Sequence, residues 1–375
     1  MIDNKGCNFV PKAMNTTSTA LGLMSGTSMD GMDAALVRSD GEVAEAFGPL
    51  LTRPYSADQR NLLTSVLGGA GNLATASAMI TEVAATIVQE LLEKTELTSS
   101  DIRVIGFHGH TVDHRPAERI TCQIGNGAEL ARRCGVDVIS DFRSADVAAG
   151  GEGAPLAPLY HAALAEGLER PLAVLNVGGV ANVTWLGEGE AGGQAILAFD
   201  TGPGNALIND WAHLHTDQVF DTDGRLAAAG QVDEARLEAL LNHEYFFRKP
   251  PKSLDRNDFS STPLEGLSPT DGAATLTAFT ARAVALAARH FPAQAQRWLC
   301  CGGGRHNPQI MAALAEALGV PVEPVEAVGW RGDALEAEAF AFLALRSLAG
   351  LPLSLPMTTG VARPLSGGVL FRAKA

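Results

Sequence analysis

The sequence lacks features that mark several classes of protein. It has no uninterrupted apolar run of about 18 residues, the length of a membrane-spanning helix, and its first twenty residues lack the apolar stretch of a secretory signal. Basic residues are in the minority, with 28 Lys and Arg against 42 Asp and Glu. The net charge of −14 argues against a nucleic-acid or anionic membrane partner. We therefore expect a cytoplasmic protein that binds neither nucleic acid nor membrane.

Cysteine is also scarce. The chain has 5 cysteines and no C-x-x-C pair. The neighbours Cys300 and Cys301 lie in an apolar run, which is typical of cysteines that pack as small buried residues. An odd number of cysteines without a disulfide framework favours a reducing compartment.

Glycine, by contrast, is abundant, at 40 of 375 residues, which suits several tight loops. The length indicates about two domains. Apolar residues at helical spacing predict a long helix over 75–94, and the run 102–107 predicts a buried strand. We expect an α/β protein with a loose extension over 1–17. A first domain would cover 18–145, joined by 350–375, and a second would cover 146–349.

The stretch 21–37 places a turn between two apolar flanks. The two glycines of this turn permit positive φ, and its backbone N–H groups and hydroxyls can hold an anion. Its carboxylates would repel a bare phosphate unless Mg²⁺ or its waters lie between them. The pattern predicts a strand–turn–strand phosphate site, and a plain β-hairpin with a polar turn is the alternative. The residues concerned are Gly26, Thr27, Ser28, Asp30, Gly31 and Asp33.

Three histidines follow the predicted strand 102–107 in the pattern H-x-H-x-x-x-H. In α/β folds, ligands bind at the carboxyl ends of strands. His108, His110 and His114 could hold zinc, but no further ligand lies close in sequence. Hydrogen bonding of His108 and His110 to a sugar is favoured, and a structural role for them stays open.

A second strand–glycine–strand pattern occupies 171–185. Gly178 and Gly179 form its turn and Asn182 follows, so the chain presents a second loop of the same layout. This repetition suggests duplicated halves that face one nucleotide, and an ordinary hairpin is the alternative. Asp200 then ends an apolar strand before a glycine-rich turn. It is positioned to act as a base, or it serves an Asx-turn or helix cap.

A third glycine cluster lies at Gly302, Gly303 and Gly304. It follows a predicted strand and precedes a helix, with Asn307 as the N-cap and Pro308 at the first helical position. Three glycines allow an adenine or ribose to lie against the backbone, whereas a tight turn needs fewer. The cluster therefore predicts contact with a nucleotide.

The residues 22–33, GLMSGTSMDGMD, resemble the nucleotide-binding signature of the anhydro-N-acetylmuramic acid kinases, which belong to the actin–hexokinase–heat-shock ATPase superfamily. The resemblance extends over most of 21–371. It implies a two-domain α/β ATPase fold with mixed sheets and a cleft between the domains. It also implies that ATP contacts residues 26–33 of this signature, including Met29 and Met32, and that Asp200 is the catalytic base.

The resemblance implies further substrate contacts and shows departures. Arg143 could hold the carboxylate of a muramic sugar, or pair with Asp141 or Asp146. The family implies a sugar contact for Glu336, although a capping box with Asp333 is the alternative. The departures are His110 in place of the usual glutamine and the Ser144–Ala145 pair after Arg143.

The expected reaction is ATP-dependent opening and phosphorylation of 1,6-anhydro-N-acetylmuramic acid, with a small sugar as substrate and Mg²⁺ as cofactor. The sequence leaves a homodimer open. Two other functions are weighed against this expectation. One is a zinc hydrolase built on the three histidines, and the other is an ATP-driven switch without enzymatic activity.

Overall fold

The computed structural model describes residues 16–189, 194–254 and 258–374. Residues 1–15 of the expected extension lie outside the described residues. The chain forms two compact units. The first contains the residues through Gly153, Glu336–Leu355 and those from Val361 onward, and the second contains Ala154–Leu335 and Pro356–Gly360. The division at 145 and 349 stays a prediction.

The first unit is a mixed sheet with helices. Its strands and helices, in chain order, are β1 (Ser18–Ser25), β2 (Gly31–Ser39), β3 (Ala44–Pro54), α1 (Ala57–Ser65), α2 (Leu73–Thr95), β4 (Val104–Arg115), β5 (Ile120–Ile124), α3 (Gly127–Cys134), β6 (Val138–Ser140) and α4 (Ser144–Ala148), followed much later in the chain by α11 (Leu335–Leu348) and β12 (Val369–Phe371). Its sheet has the order β12-β6-β4-β1-β2-β3, and β5 pairs with β4.

The second unit has a sheet of the same design. Its strands and helices are α5 (Pro158–Leu164), β7 (Leu172–Val177), β8 (Val180–Glu188), β9 (Gln194–Pro203), α6 (Ala206–His215), α7 (Arg225–Ala228), α8 (Glu234–Leu241), α9 (Pro269–Ala287), β10 (Arg297–Cys301), α10 (Pro308–Leu318), β11 (Val322–Pro324) and α12 (Pro356–Thr359). The strand order is β11-β10-β7-β8-β9.

The two sheets share one topology. In each, three antiparallel strands come first in the chain, β1-β2-β3 and β7-β8-β9. The first strand of each set then pairs in parallel with a later strand, which pairs in parallel with the next. The expected α/β class with mixed sheets is confirmed, and the second loop of the sequence belongs to a repeated strand order.

Apolar spacing explains α2. Asn72 caps its start by accepting a hydrogen bond from the Thr75 N–H, and the apolar positions of the predicted helix are buried. The helix ends at Thr95, followed by Glu96 in the left-handed region. The prediction of a helix over 75–94 is confirmed within two residues.

The last long helix, α11, packs directly on the backbone of two strands. A Cβ atom at Gly22 of β1 would lie 1.7 Å from the Ala337 carbonyl oxygen, and one at Gly106 of β4 would lie 2.0 Å from that of Phe340. Glycine is therefore required at both positions, because any side chain would push the helix off the sheet. Among the described residues, no helix is long and apolar enough to cross a membrane.

Candidate functional site

The first glycine loop connects β1 to β2, which pair as antiparallel neighbours. Thr27, Ser28 and Asp30 are exposed, so their hydroxyl and carboxylate groups are available to a ligand. Met32 is fully buried in the core of the first unit, which leaves only its backbone for any contact with a nucleotide. Met29 is half-buried and packs beside the same core.

Neither glycine of this loop has a positive φ, although glycine permits one. The residue with positive φ is Met29, at 59°, and its N–H donates to the Gly26 carbonyl at 3.1 Å. Gly31 is needed for another reason, since a Cβ there would lie 2.5 Å from the Arg53 carbonyl oxygen. At Gly26 a Cβ would make only an ordinary contact, with Ser28 Oγ at 3.6 Å.

The two carboxylates of this loop have the chemistry of a magnesium site. The Thr52 hydroxyl donates to Asp33 Oδ1 at 2.5 Å and orients that carboxylate. Asp30 is exposed, and its backbone carbonyl accepts the Tyr55 N–H. Mg²⁺ is usually held by one or two carboxylates, with waters and phosphate oxygens as the other ligands. The donor set of Asp30 and Asp33 therefore fits such an ion.

His110 lies in a buried chain of hydroxyl groups. Its Nδ1 is 2.9 Å from Ser25 Oγ, and the Tyr55 hydroxyl donates to the same oxygen at 2.7 Å. Burial lowers the pKa of His110 to about 4, so the ring is neutral near pH 7. Its Nε2 is buried and has no hydrogen-bond partner among the described residues, which leaves one polar atom of the predicted sugar contact available.

His108, Arg143 and Glu336 come together in the first unit. Two nitrogens of the Arg143 guanidinium lie 3.1 and 3.2 Å from His108 Nε2, and a third donates to the Gly153 carbonyl. Burial and the Arg143 charge hold the pKa of His108 well below its usual value. Glu336 keeps accessible surface, yet the surrounding protein raises the pKa of its carboxyl group, and Arg143 opposes this rise.

Arg143 therefore lies beside His108 and Glu336, two of the residues predicted to bind the substrate.

The third histidine, His114, does not join this group. Its ring nitrogens lie next to Thr121 Oγ1 and the Glu152 carbonyl. In the part of the chain that the structure describes, no group of three His, Cys, Asp or Glu side chains is arranged to hold a metal ion. The zinc hydrolase alternative is not favoured.

In the second unit, the turn of Gly178 and Gly179 is tied to the start of α6. The Gly178 carbonyl accepts the Asn205 N–H at 2.7 Å, and the Gly179 carbonyl accepts the Gly204 N–H at 2.9 Å. A Cβ at Gly204 would lie 2.3 Å from the Gly178 oxygen, so the contact requires glycine. The turn at Gly178 and Gly179 is therefore packed against, and hydrogen-bonded to, the start of α6.

Asp200 lies in β9, directly opposite Asn182 of β8. The strand runs on to Pro203, and Asn205 occupies the N-cap position of α6. Asp200 therefore does not cap the helix, which removes that alternative. Asp200 is 9% exposed, and its carboxylate accepts the Leu254 N–H at 2.9 Å. Asn182, predicted to contact the nucleotide, and Asp200, predicted to be the catalytic base, are thus neighbours on adjacent strands.

The glycines of the third cluster have different functions. Gly302 has a φ of 73°, and a Cβ there would lie 2.2 Å from Asn176 Oδ1. A Cβ at Gly304 would lie 2.4 Å from Val177 Cγ1. Only Gly303 is exposed, with Asn205 Nδ2 at 3.6 Å as the nearest atom. Asn307 caps α10 and Pro308 begins it, as expected.

Gly303 lines a cavity of about 410 Å³ that the sequence did not reveal. The side chains of Phe220 and His306 offer rings for stacking, and amide groups add hydrogen bonds. The other lining residues are Asn205, Asn209, Asp221, Thr222, Asp223 and Asn307. The only signal in the sequence is a phenylalanine in a polar turn, and it is 54% exposed in the structure. A larger cavity of about 630 Å³ beside α9 and α10 contains none of the predicted site residues.

Comparisons with known proteins agree with the resemblance. The sequence model of the family "Anhydro-N-acetylmuramic acid kinase" matches residues 18–373. The chain is 57% identical over 352 residues to the anhydro-N-acetylmuramic acid kinase of Paramagnetospirillum magneticum, covering 93% of this chain and 98% of that protein. It is 55% identical over 359 residues to that of Rhodospirillum rubrum, covering 94% of each.

Similarity to solved structures is weaker. The structure of a hexokinase from Schistosoma mansoni complexed with glucose matches with a TM-score of 0.44 and 11% identity, covering 88% of this chain and 87% of that one. Nothing about function follows from that match.

Proposed function

The chain belongs to the anhydro-N-acetylmuramic acid kinase family, and from this premise we propose that it opens the 1,6-anhydro ring of anhydro-N-acetylmuramic acid and phosphorylates the freed O6 with ATP. The products are N-acetylmuramic acid 6-phosphate and ADP. Such a reaction recovers an amino sugar of peptidoglycan. Within one turnover, hydrolysis of the anhydro bond and phosphoryl transfer are coupled.

Asp200 is the proposed base. Its carboxylate takes a proton from water, the water oxygen bonds to the anomeric carbon, and the bond from that carbon to O6 breaks. O6 then attacks the γ-phosphorus, and ADP leaves. The observation that carries this proposal is the position of Asp200, a nearly buried carboxylate fixed by the Leu254 N–H and opposite Asn182. A fixed base of this kind contributes roughly 10²–10⁴-fold to the rate.

ATP is proposed to contact the glycine loops 26–33, 178–182 and 302–304. The adenine would occupy the cavity beside Gly303, where Phe220 offers a ring for stacking. Mg²⁺ would be held by Asp30 and Asp33 and would screen the charge of the phosphates.

The sugar is assigned to the residues gathered in the first unit. Arg143 supplies a guanidinium for the lactyl carboxylate, since its planar fork matches a carboxylate. His108, His110 and Glu336 are proposed to hydrogen-bond the sugar. His110 has a free Nε2 for this purpose and stands where the family usually has glutamine.

A cytoplasmic location is proposed because ATP is the phosphoryl donor and the few cysteines favour a reducing compartment. A homodimer is proposed as the form in solution, and light scattering during size-exclusion chromatography tests it.

Replacement of Asp200 by Asn tests the function. The variant keeps the shape of the side chain and loses the base, so we expect sugar-dependent ADP release to fall at least a hundredfold while ATP binding persists. A coupled ADP-release assay with the anhydro sugar and ordinary hexoses measures the first, and calorimetry measures the second. Turnover of Asp200→Asn near the wild-type rate would overturn the assignment of the base. ADP release that does not depend on the anhydro sugar would favour an ATP-driven switch.

A further inference from the structure

One segment of the second unit, Tyr245–Leu254, holds Asp200 at three separate groups. The Asp200 N–H donates to the Lys252 carbonyl at 3.1 Å. The Tyr245 hydroxyl donates to the Asp200 carbonyl at 2.5 Å, and the Leu254 N–H donates to the Asp200 carboxylate at 2.9 Å. Both the backbone and the carboxylate of Asp200 therefore depend on where this segment lies.

The segment is fixed by a lysine whose side chain is almost completely buried. Lys252 is 2% exposed, although lysine rarely leaves the surface. Its Nζ donates to the Tyr245 carbonyl at 3.0 Å and lies 4.3 Å from the centre of the Tyr245 ring. The Phe199 ring, one residue before Asp200, is 5.9 Å away. A cation over aromatic faces gains electrostatic stabilisation, which partly offsets the cost of burying its charge.

Charged and titratable groups surround Lys252. Arg248 of its own segment and Asp200 of β9 act on its ammonium. Lys252 and Lys249 both act on His290, which follows α9. Burial lowers the pKa of the Lys252 ammonium to about 8, the Arg248 charge adds to this decrease, and Asp200 opposes it. Lys252 is therefore mostly protonated at pH 7. The attraction is mutual, so the ammonium favours the ionised form of Asp200.

We propose that Lys252 is a positioning residue for Asp200: its buried ammonium locks the segment Tyr245–Leu254 against β9 and keeps the base ionised and aligned. This inference rests on the proposed function, in which Asp200 takes the proton from water. Lys252 touches neither water nor sugar in this account. It acts only through the segment and through its charge, which distinguishes it from a lysine that binds the phosphates of ATP.

Two substitutions of Lys252 separate the effect of its hydrogen bond to the Tyr245 carbonyl from the effect of its charge. Lys252→Met keeps most of the apolar side chain and removes both the hydrogen bond and the charge. Lys252→Gln also removes the charge but retains an N–H donor that can bond to the Tyr245 carbonyl, on a side chain one atom shorter than lysine. The matched control is Lys249→Met, which removes an exposed charge of the same segment. The assay is sugar-dependent ADP release from pH 5 to pH 10, with the KM for ATP measured at each pH.

We expect Lys252→Met to lose ten- to a hundredfold in kcat, because a displaced base reacts poorly, with little change in the KM for ATP. The acid limb of the pH profile should move to higher pH in both Lys252 variants, because the carboxylate of Asp200 loses a nearby positive charge. The wild type and Lys249→Met should lose activity above about pH 8, where Lys252 deprotonates, and both Lys252 variants should lack that alkaline limb. If Lys252→Met does not fold, Lys252→Gln still tests both expectations, the shifted acid limb and the missing alkaline limb.

The proposal is overturned if either Lys252 variant keeps the wild-type pH profile, or if kcat is intact and only the KM for ATP rises. The second result would assign Lys252 to the nucleotide. Failure of the proposed function looks different, since the wild type itself would then show no sugar-dependent turnover, or Asp200→Asn would remain active.

Discussion

The glycines at 302 and 303 allow a sharp test, because one is required by the fold and the other faces the cavity. Gly302→Ala places a Cβ 2.2 Å from Asn176 Oδ1 in a residue with a φ of 73°. The left-handed backbone costs about 1–2 kcal/mol for a residue with a side chain, and the overlap costs roughly 1–3 kcal/mol more. We expect the variant to be destabilised by about 2–5 kcal/mol.

Gly303→Ala should behave in the opposite way. Its Cβ would lie 3.6 Å from Asn205 Nδ2, an ordinary contact, and its φ is not positive. The folded state should therefore be unchanged or stabilised by up to about 1 kcal/mol through the unfolded chain. The added methyl group projects beside the proposed adenine cavity, so the KM for ATP should rise severalfold while kcat changes little.

Thermal unfolding and steady-state kinetics on the pair decide the question. At roughly 2–4 °C per kcal/mol for a unit of this size, Gly302→Ala should unfold several degrees earlier. Gly304→Ala is a second packing variant, because its Cβ would lie 2.4 Å from Val177 Cγ1 and 2.6 Å from Val177 Cβ, on a buried branched side chain, and it should also unfold earlier than the wild type. The reasoning is refuted if Gly303→Ala leaves the KM for ATP unchanged, or if Gly302→Ala unfolds at the wild-type temperature.

Two further predictions concern stability. Arg305 is buried, donates to the Gly302 carbonyl and pairs with Glu326 and Asp333. Arg305→Met should lower the free energy of unfolding, measured with denaturant, by only about 1–2 kcal/mol, because both carboxylates keep contact with water. An unchanged unfolding midpoint would contradict this prediction. Burial lowers the pKa of His161 to about 4. Because the unfolded histidine binds a proton below about pH 6.5, stability should fall with decreasing pH, by about 2 kcal/mol at pH 5, and His161→Gln should lose that share of the pH dependence. If His161→Gln kept the full pH dependence of stability seen in the wild type, the assignment of this effect to His161 would be wrong.

Local signals in the sequence were sufficient for many elements. The helix α2 follows from apolar residues at helical spacing, and the start of α10 follows from Asn307 and Pro308, because caps depend on neighbours within one turn. The repeated strand–glycine–strand layout likewise predicted the two hairpins that begin each sheet.

Features that depend on distant residues could not be predicted in this way. Asp333 and Glu336 have the spacing of a capping box, yet Asp333 pairs with Arg305, 28 residues away. A lysine is normally expected at the surface, whereas Lys252 is buried against the rings of Phe199 and Tyr245. Three adjacent glycines look equivalent in the sequence, and only the position of β7 shows that Gly302 and Gly304 serve packing.

The close fit of Gly22 and Gly106 against α11 bears on how the chain is made. Residues 1–153 are synthesised long before residue 348, the end of α11. The first unit therefore lacks α11 while 195 further residues are added to the chain. At roughly 5–20 residues per second, this delay is about 10–40 s. During that interval the nascent β1 and β4 expose apolar surface, which makes them a natural binding site for chaperones, whereas the second unit is almost continuous in the chain and can fold as it emerges.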